Sequence, residues 1–311
     1  MLYEQWLWDV PKHAQWGWII ALYLFLGGVG AGAHITAGMA WILNKKNKGT
    51  SKGEAYERIN RAGAYLGPPT LIIGTTLLLF ELGDPLRGML MYVAYINPTS
   101  WMAVGAWLLF ILISTGVANM VYWSIGKSSG KRFKIGILGI PLGFTVAAYT
   151  GYLLSAAQFV PLWNEHLLPL LFTISAISTG IAATCLFAFM PIFGPITFEL
   201  KKGATLFSKI DALLIITEIA VLCVFLMEVK AFGGAGLASV NLLTMGRYAV
   251  FFWGGVVFLG LLVPLIFSIH SFKKTPRAKY LTFEFGLVLL GGLILRFVIL
   301  FGAIKQPIVI P

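Results

Sequence analysis

Eight long apolar runs constrain the fold of this chain more than any other feature of its sequence. Each run holds roughly the 20 residues that an α-helix needs to cross the hydrocarbon core of a bilayer. Proline-containing joints such as Asp84-Pro85 and Asn97-Pro98 separate the runs. The sequence therefore predicts an all-α, polytopic membrane helical bundle with about eight transmembrane helices, at residues 16–43, 62–82, 101–125, 135–157, 168–190, 206–230, 247–270 and 280–304.

The composition excludes a water-soluble protein. Hydrophobic residues make up 58% of the 311 residues, charged residues make up only 11%, and the mean hydropathy is +0.85. So few polar side chains could not cover the surface of a soluble domain. We therefore expect a single integral membrane domain over residues 1–311, in a multi-pass protein of the cell (inner) membrane.

The net charge of +11 is distributed as a topology signal. In a soluble protein such a positive charge would suggest a nucleic-acid partner. In this membrane protein we expect the lipid bilayer as the partner and expect no nucleic acid. Most Lys and Arg residues fall in alternate loops, which the positive-inside rule places in the cytoplasm with both termini extracytoplasmic. These residues are Lys45, Lys46, Lys48, Lys52, Arg58, Arg61, Lys127, Lys131, Arg132, Lys134, Lys201, Lys202, Lys209, Lys273, Lys274, Arg277 and Lys279.

The first apolar run combines four glycines with a histidine, in the segment from Gly27 to His34. Small residues let a neighbouring helix or a flat ligand approach the backbone closely. His34 is an ionisable group that hydrocarbon penalises, and imidazole can exchange protons. The pattern predicts one wall of a quinol pocket at this segment, and a histidine that merely packs between helices is the alternative.

The fourth run carries hydroxyl groups at a spacing of three, on Tyr149, Tyr152 and Ser155. Side chains at this spacing stay near one face of a helix. Counting from the predicted helix ends, His34 and Tyr149 differ in depth by roughly 8 Å at 1.5 Å per residue. A quinone head group would fit between them, whereas hydroxyls bonded to neighbouring carbonyls would need no ligand.

Charged side chains near or within the runs are candidates for a proton relay: Glu81, Asp84 and Arg87 at the end of the second run, Glu218 in the sixth and Arg296 in the eighth. Intramembrane charges often have a function. The first three could equally form a salt-bridged turn. The last two could equally form a buried pair that only locks helices together.

No metal or haem site is expected in this chain. A membrane haem usually takes two axial histidines at similar depth, and His34 has no convincing second ligand, since His270 lies at a cytoplasmic end. The two cysteines, Cys185 and Cys223, stand apart in apolar runs. Any iron–sulfur cluster would therefore belong to another subunit.

Several ordered motifs together resemble the membrane-anchor subunits of the NrfD/PsrC (polysulfide reductase) family. The resemblance spans most of the chain. Its motifs are the glycine-rich run ending at His34, Glu81–Arg87 (ELGDPLR), Asn97–Trp101 (NPTSW), Tyr149–Ser155 (YTGYLLS), Pro161–Asn164 (PLWN) and Ser175–Gly180 (SAISTG).

The resemblance implies a subunit of a respiratory oxidoreductase rather than its catalytic centre. Such a subunit has eight helices and binds no haem or iron–sulfur cluster. It exchanges electrons between a membrane quinone (menaquinone or ubiquinone) and a ferredoxin-like iron–sulfur partner. A third subunit, containing molybdopterin, carries out the substrate chemistry. Both partners are expected on the extracytoplasmic face.

The resemblance also implies site residues. The family's first-helix histidine matches His34, and its fourth-helix tyrosine matches Tyr149 best and Tyr152 less well. The family's asparagine one turn before the histidine corresponds to Gly30, which leaves room for a differently posed quinone or a water molecule. Its buried second-helix glutamate, a candidate for proton transfer, matches Glu81.

Two alternatives from other functional classes remain. A secondary transporter would also use Gly- and Pro-interrupted helices and buried charges, although the eight runs show no obvious inverted repeat. A purely structural membrane anchor would need the outer surface but would leave His34, Tyr149 and Tyr152 without a purpose.

Overall fold

The computed structural model describes residues 16–81, 100–126, 129–157, 159–163, 166–271 and 277–306. These residues are largely helical and form no β-strand. Eight of their helices are long and apolar enough to cross a membrane. The predicted all-α architecture with eight spans is therefore confirmed, while the side on which the termini lie stays a prediction.

Nine helices longer than one turn occur within the described ranges, and a 3-10 turn at Pro191–Phe193 lies between the fifth and the sixth. Three helices begin before their apolar runs because polar helical turns precede their apolar parts: α2 and α6 by about ten residues and α4 by six. The short α7 is a further addition, too short to cross a bilayer. The helices are α1 Trp18–Lys46, α2 Ser51–Glu81, α3 Trp101–Ser124, α4 Ser129–Ser155, α5 Leu167–Ala188, α6 Phe198–Ala231, α7 Gly234–Thr244, α8 Val250–Ser271 and α9 Ala278–Phe301.

Helix α1 lies at the centre of the bundle. It packs against α2, α4, α5 and α9, and its side chains are buried over most of its length. Glycines allow the closest of these contacts, because a Cβ added at Gly32 would lie 2.9 Å from the Cα of Gly180 on α5. Groups on α1 can therefore meet several neighbouring helices at once.

The two ends of the bundle differ in charge. Helices joined by a connection as short as residues 47–50 run antiparallel, so successive spans alternate in direction. We call the end where α1 finishes the basic end and the end where α3 begins the opposite end. The described lysines near the basic end are Lys45, Lys46, Lys48, Lys52, Lys201, Lys202, Lys209 and Lys279.

Arg58 fastens the connection between α5 and α6 at the basic end. Its Nε donates to the carbonyl of Ala188 at 2.8 Å, its Nη1 to that of Pro195 at 2.7 Å and its Nη2 to that of Gly194 at 2.9 Å. Carbonyls at the end of a helix and in a turn lack helical partners. One side chain of α2 therefore ties down the whole connection.

Candidate functional site

The imidazole of His34 has a defined tautomer. Its Nδ1 lies 2.7 Å from the carbonyl oxygen of Gly30, one turn earlier on α1. A carbonyl oxygen only accepts hydrogen bonds, so Nδ1 carries the hydrogen and Nε2 keeps its lone pair. His34 is buried, and Nε2 has no hydrogen-bond partner among the described residues. The ring therefore presents an unused proton acceptor inside the bundle.

Glycines of two neighbouring helices make the space that the His34 ring occupies, and a glycine of a third helix lies beside it. A Cβ added at Gly67 of α2 would overlap the ring, and one added at Gly116 of α3 would overlap Nε2. At Gly139 of α4 an added Cβ would lie 3.5 Å from the Cβ of His34. Any larger residue at Gly67 or Gly116 would displace the imidazole.

Gly30 contributes its carbonyl rather than open space. An added Cβ would lie 2.6 Å from Cγ of Leu71 and 2.8 Å from Oγ1 of Thr70, both on α2. The room that a glycine leaves at this position is thus filled by α2, because the two helices approach closely. The expectation that a quinone or water molecule would occupy that room is not supported by this packing.

An aromatic cluster lies near the opposite end, between α3 and α4. Tyr149 is buried, and its ring covers Gly105 so closely that a Cβ there would overlap the phenol. One turn away, Tyr152 stacks on Trp101 with ring centroids 4.8 Å apart and planes 6° from parallel. Both stacked rings are exposed on the bundle surface. We call Trp101, Tyr149 and Tyr152 the aromatic cluster.

His34 and Tyr149 contact α3 at different levels. The His34 ring touches Gly116 and the Tyr149 ring touches Gly105, and eleven residues of an α-helix rise about 16 Å. A quinone ring with a hydrogen bond at each oxygen spans only about 11 Å between its two partners. The predicted depth difference of roughly 8 Å was too small, and the structure does not bring the two side chains to one ring.

Glu81 lies at the opposite end but is exposed, not buried. Its Oε1 accepts a hydrogen bond of 3.3 Å from the backbone N–H of Gly17, just before α1. The carboxylate thus satisfies a free N–H at a helix start, which is a favourable place for negative charge. The neighbouring candidates Asp84 and Arg87 lie outside the described residues.

Glu218 and Arg296 lie on the other side of α1, and Ser175 of α5 lies between them. Nη1 of Arg296 donates to Oγ of Ser175 and to the carbonyl of Gly292 at 3.0 Å. The two charges interact, but no nitrogen–oxygen distance between these described side chains falls within 4 Å. The predicted pairing is therefore indirect, through a serine hydroxyl.

Two buried carboxylates, Asp211 of α6 and Glu284 of α9, were not among the sequence candidates. Their exposed fractions are 0% and 1%. An acidic residue inside an apolar run was the available signal. The nearby basic residues Lys209 and Lys279 made both positions resemble a membrane interface, which hid that signal.

Comparison with known proteins places the protein among membrane subunits of reductases. The family model described as "Polysulphide reductase, NrfD" matches residues 9–307. The sequence is 32% identical to a polysulfide reductase chain of Wolinella succinogenes, over 92% of this protein and 93% of that one. It is 29% identical to an NrfD homolog of Haemophilus influenzae, over 94% and 96% of the two proteins.

A further relative is a selenate reductase subunit of Mesobacillus selenatarsenatis, 24% identical over 96% of this protein and 76% of that one. Two of these relatives are named as parts of reductases, and the eight apolar helices make the present chain a multi-pass membrane protein. Since the family model covers nearly the whole sequence, the protein belongs to the NrfD family of membrane subunits of reductase complexes.

Proposed function

We propose that this protein is the quinone-binding membrane subunit of a respiratory oxidoreductase. It would exchange electrons between menaquinone or ubiquinone and an iron–sulfur partner subunit. The relative from polysulfide reductase, aligned over nearly its full length, supports a place in such a complex. The reaction is quinol → quinone + 2 electrons + 2 protons, or its reverse, with the electrons passing to or from the partner's clusters.

The quinone head group would dock at the aromatic cluster, and this placement rests on one observation. Tyr149, buried against Gly105 of α3, lies one helical turn from Tyr152, which stacks on Trp101 in an exposed aromatic pair. Aromatic side chains offer a flat apolar face to another ring, and a phenol hydroxyl can donate to or accept from a quinone oxygen. Exposure of the pair lets a lipid-dissolved quinone reach the cluster from the bilayer.

His34 would act as an internal proton acceptor and not as the second contact of the same ring. The fixed tautomer leaves Nε2 as an acceptor, which suits a group that receives a proton and later releases it. Its distance from the cluster requires carriers between them, such as water molecules. Gly30 would serve this role indirectly, because its carbonyl sets the tautomer.

The iron–sulfur and molybdopterin subunits would bind at the opposite end of the bundle, which the positive-inside rule places outside the cytoplasm. The aromatic cluster lies near that end. The iron–sulfur centre of a partner docked there would therefore be close to the quinone. Glu81, Asp84 and Arg87 belong to the same end and would pass protons outward. Docking at this end would keep the electron path short.

A tyrosine comparison tests the proposed site. In the purified complex, Tyr149→Phe should lower electron transfer with a soluble quinol analogue at least about tenfold, while all subunits remain assembled. The control is Tyr65→Phe at the basic end, where the Tyr65 hydroxyl bonds to Ser124 at 2.9 Å. Wild-type turnover in Tyr149→Phe would contradict the proposed quinone site. A wild-type complex without quinone-dependent turnover would contradict the proposed function itself. Solute uptake by the reconstituted protein alone would favour a transporter.

A further inference from the structure

A row of three buried carboxylates crosses the half of the bundle formed by α5, α6, α8 and α9. Glu284, Asp211 and Glu218 have exposed fractions of 1%, 0% and 4%. Carboxylates at membrane depth are costly and are rare without a function. Only Glu218 was among the sequence candidates, so the row needs its own explanation.

The row begins near the basic end with Glu284. Its Oε1 accepts hydrogen bonds from the hydroxyls of Ser208 at 2.5 Å and Ser268 at 2.6 Å, and these hydroxyl oxygens lie 2.9 Å apart. Glu284 lies six residues after the start of α9, beside the lysine-rich end. Hydroxyls both donate and accept, so this group of three can pass a proton inward.

Asp211 follows Ser208 by three residues on α6 and faces Ser178 of α5. The hydroxyl of Ser178 interacts with the carboxylate, but neither oxygen of Asp211 receives a hydrogen bond of ordinary geometry from the described residues. A buried carboxylate with so weak a partner is disfavoured unless it takes up a proton or meets water. Asp211 is therefore placed to receive a proton from the Glu284 group and to release it.

A small cavity lies on the route from Asp211 toward Glu218, which are seven residues apart on one face of α6, about 10 Å along the helix. Glu218 lines this cavity together with Ser178, the residue that Asp211 faces. The cavity has room of about 10 Å³ for the centre of a water molecule. Glycines on α8 and α9, Gly260 and Gly291, form its far wall. This is about the space that one hydrogen-bonded water needs.

The row ends at Arg296, at the level of the proposed quinone site. Beyond Glu218, Arg296 approaches α1, where a Cβ added at Gly28 would lie 3.4 Å from its Nη2. At the preceding residue, Gly27, an added Cβ would lie 3.6 Å from Thr150, the neighbour of Tyr149 in sequence. Arg296 and the segment of α4 that carries Tyr149 thus approach α1 at nearly the same depth.

We propose that Glu284, Asp211 and Glu218 form a proton path from the basic end of the bundle to the level of the quinone. The inference rests on the proposed function for the group that uses the protons. In the reducing direction, quinone takes two electrons from the iron–sulfur partner and two protons, one after the other, from this path. Because electrons and protons arrive from opposite ends, turnover separates charge across the membrane.

The test uses the whole complex in proteoliposomes of one orientation, with a pH-sensitive dye on the side of the basic end. Asp211→Asn should lower quinone turnover at least about tenfold and abolish the pH change on that side. Binding of a quinone analogue should be unchanged. The control is Glu199→Gln on the same helix, where Glu199 is bonded to Lys202 at 3.0 Å outside the row.

A second variant covers the case in which Asp211→Asn fails to assemble. Glu284→Gln keeps an acceptor for both serine hydroxyls but cannot carry a proton, and it should give the same loss. A full pH change with wild-type turnover in either variant would overturn the path. Failure of the proposed function has a different signature, namely that the wild-type complex itself does not bind the quinone analogue.

Discussion

The two halves of the bundle on either side of α1 bury polar groups in different ways. Around His34, helices α2, α3 and α4 use glycines to enclose one uncharged ring tightly. On the other side, α6 and α9 carry every buried Asp, Glu, Lys and Arg of the described residues, namely Asp211, Glu218, Glu284 and Arg296. The first half encloses an aromatic ring between closely packed backbones. The second half holds charged side chains, with serine hydroxyls and a small cavity between those charges.

The difference shows how one bundle can separate two tasks. Close backbone packing encloses the His34 ring, so it suits a base that only a few proton carriers can reach. Ionisable groups joined by hydroxyls and a water-sized space suit proton movement over a longer distance. Helix α1 touches both halves, which makes it the element through which they would communicate.

Forcing the halves apart should have the largest effect. Gly180→Leu would push its side chain into the backbone of Gly32, where no flexible neighbour can yield. We expect the free energy of unfolding to fall by about 3 kcal/mol or more, measured by thermal unfolding in detergent. Gly286→Leu is the control, because a Cβ there has no other atom within 4 Å. Equal stability of the two variants would show that α1 does not need this contact.

A substitution within the first half should act on turnover alone. His34→Gln fills the same space but cannot take up a proton, so quinone turnover should fall about 100-fold. Thr36→Val is the control on the same helix, since it removes only the hydroxyl bonded to the carbonyl of Gly32 at 2.8 Å. Undiminished turnover in His34→Gln would leave His34 as a packing residue and would weaken the division of tasks.

The smallest expected effect comes from the bridging hydroxyl of the second half. Ser175→Ala removes the acceptor of Arg296 Nη1 and leaves a buried donor with fewer partners. We expect a loss of about 2 kcal/mol in stability, seen as a lower unfolding temperature. Ser155→Ala, which removes only a 3.2 Å bond to the carbonyl of Gly151 within α4, should change little. Identical unfolding of both variants would show that Arg296 needs no bridge.

The positions of the spans follow from the sequence, because a helix in lipid must be apolar along its whole membrane-facing length. The depth of Tyr149 does not follow in the same way. Helix α4 begins at Ser129, six residues before its apolar run, so counting from the apolar boundary placed Tyr149 too close to His34. Hydropathy detects where a helix enters lipid and not where the helix begins.

The surroundings of the buried charges could not be predicted either. Glu218 and Arg296 are 78 residues apart in sequence, and nothing in their spacing shows that Ser175 of a third helix lies between them. Glu81 was expected to be buried and instead bonds to Gly17 at the surface. Such contacts depend on which face each helix turns toward its neighbours. A span that is apolar on all faces gives little information about this orientation.

The hydrogen bonds of Arg58 have a consequence for the motions of the bundle. Four carbonyls of the connection between α5 and α6 are held by one guanidinium, so separation of these helices at the basic end would break several charge-assisted bonds together. Regions that open at low cost have few such bonds. We therefore expect the helices to separate transiently at the opposite end while the basic end stays closed. Such openings would let a quinone exchange between the bilayer and its site.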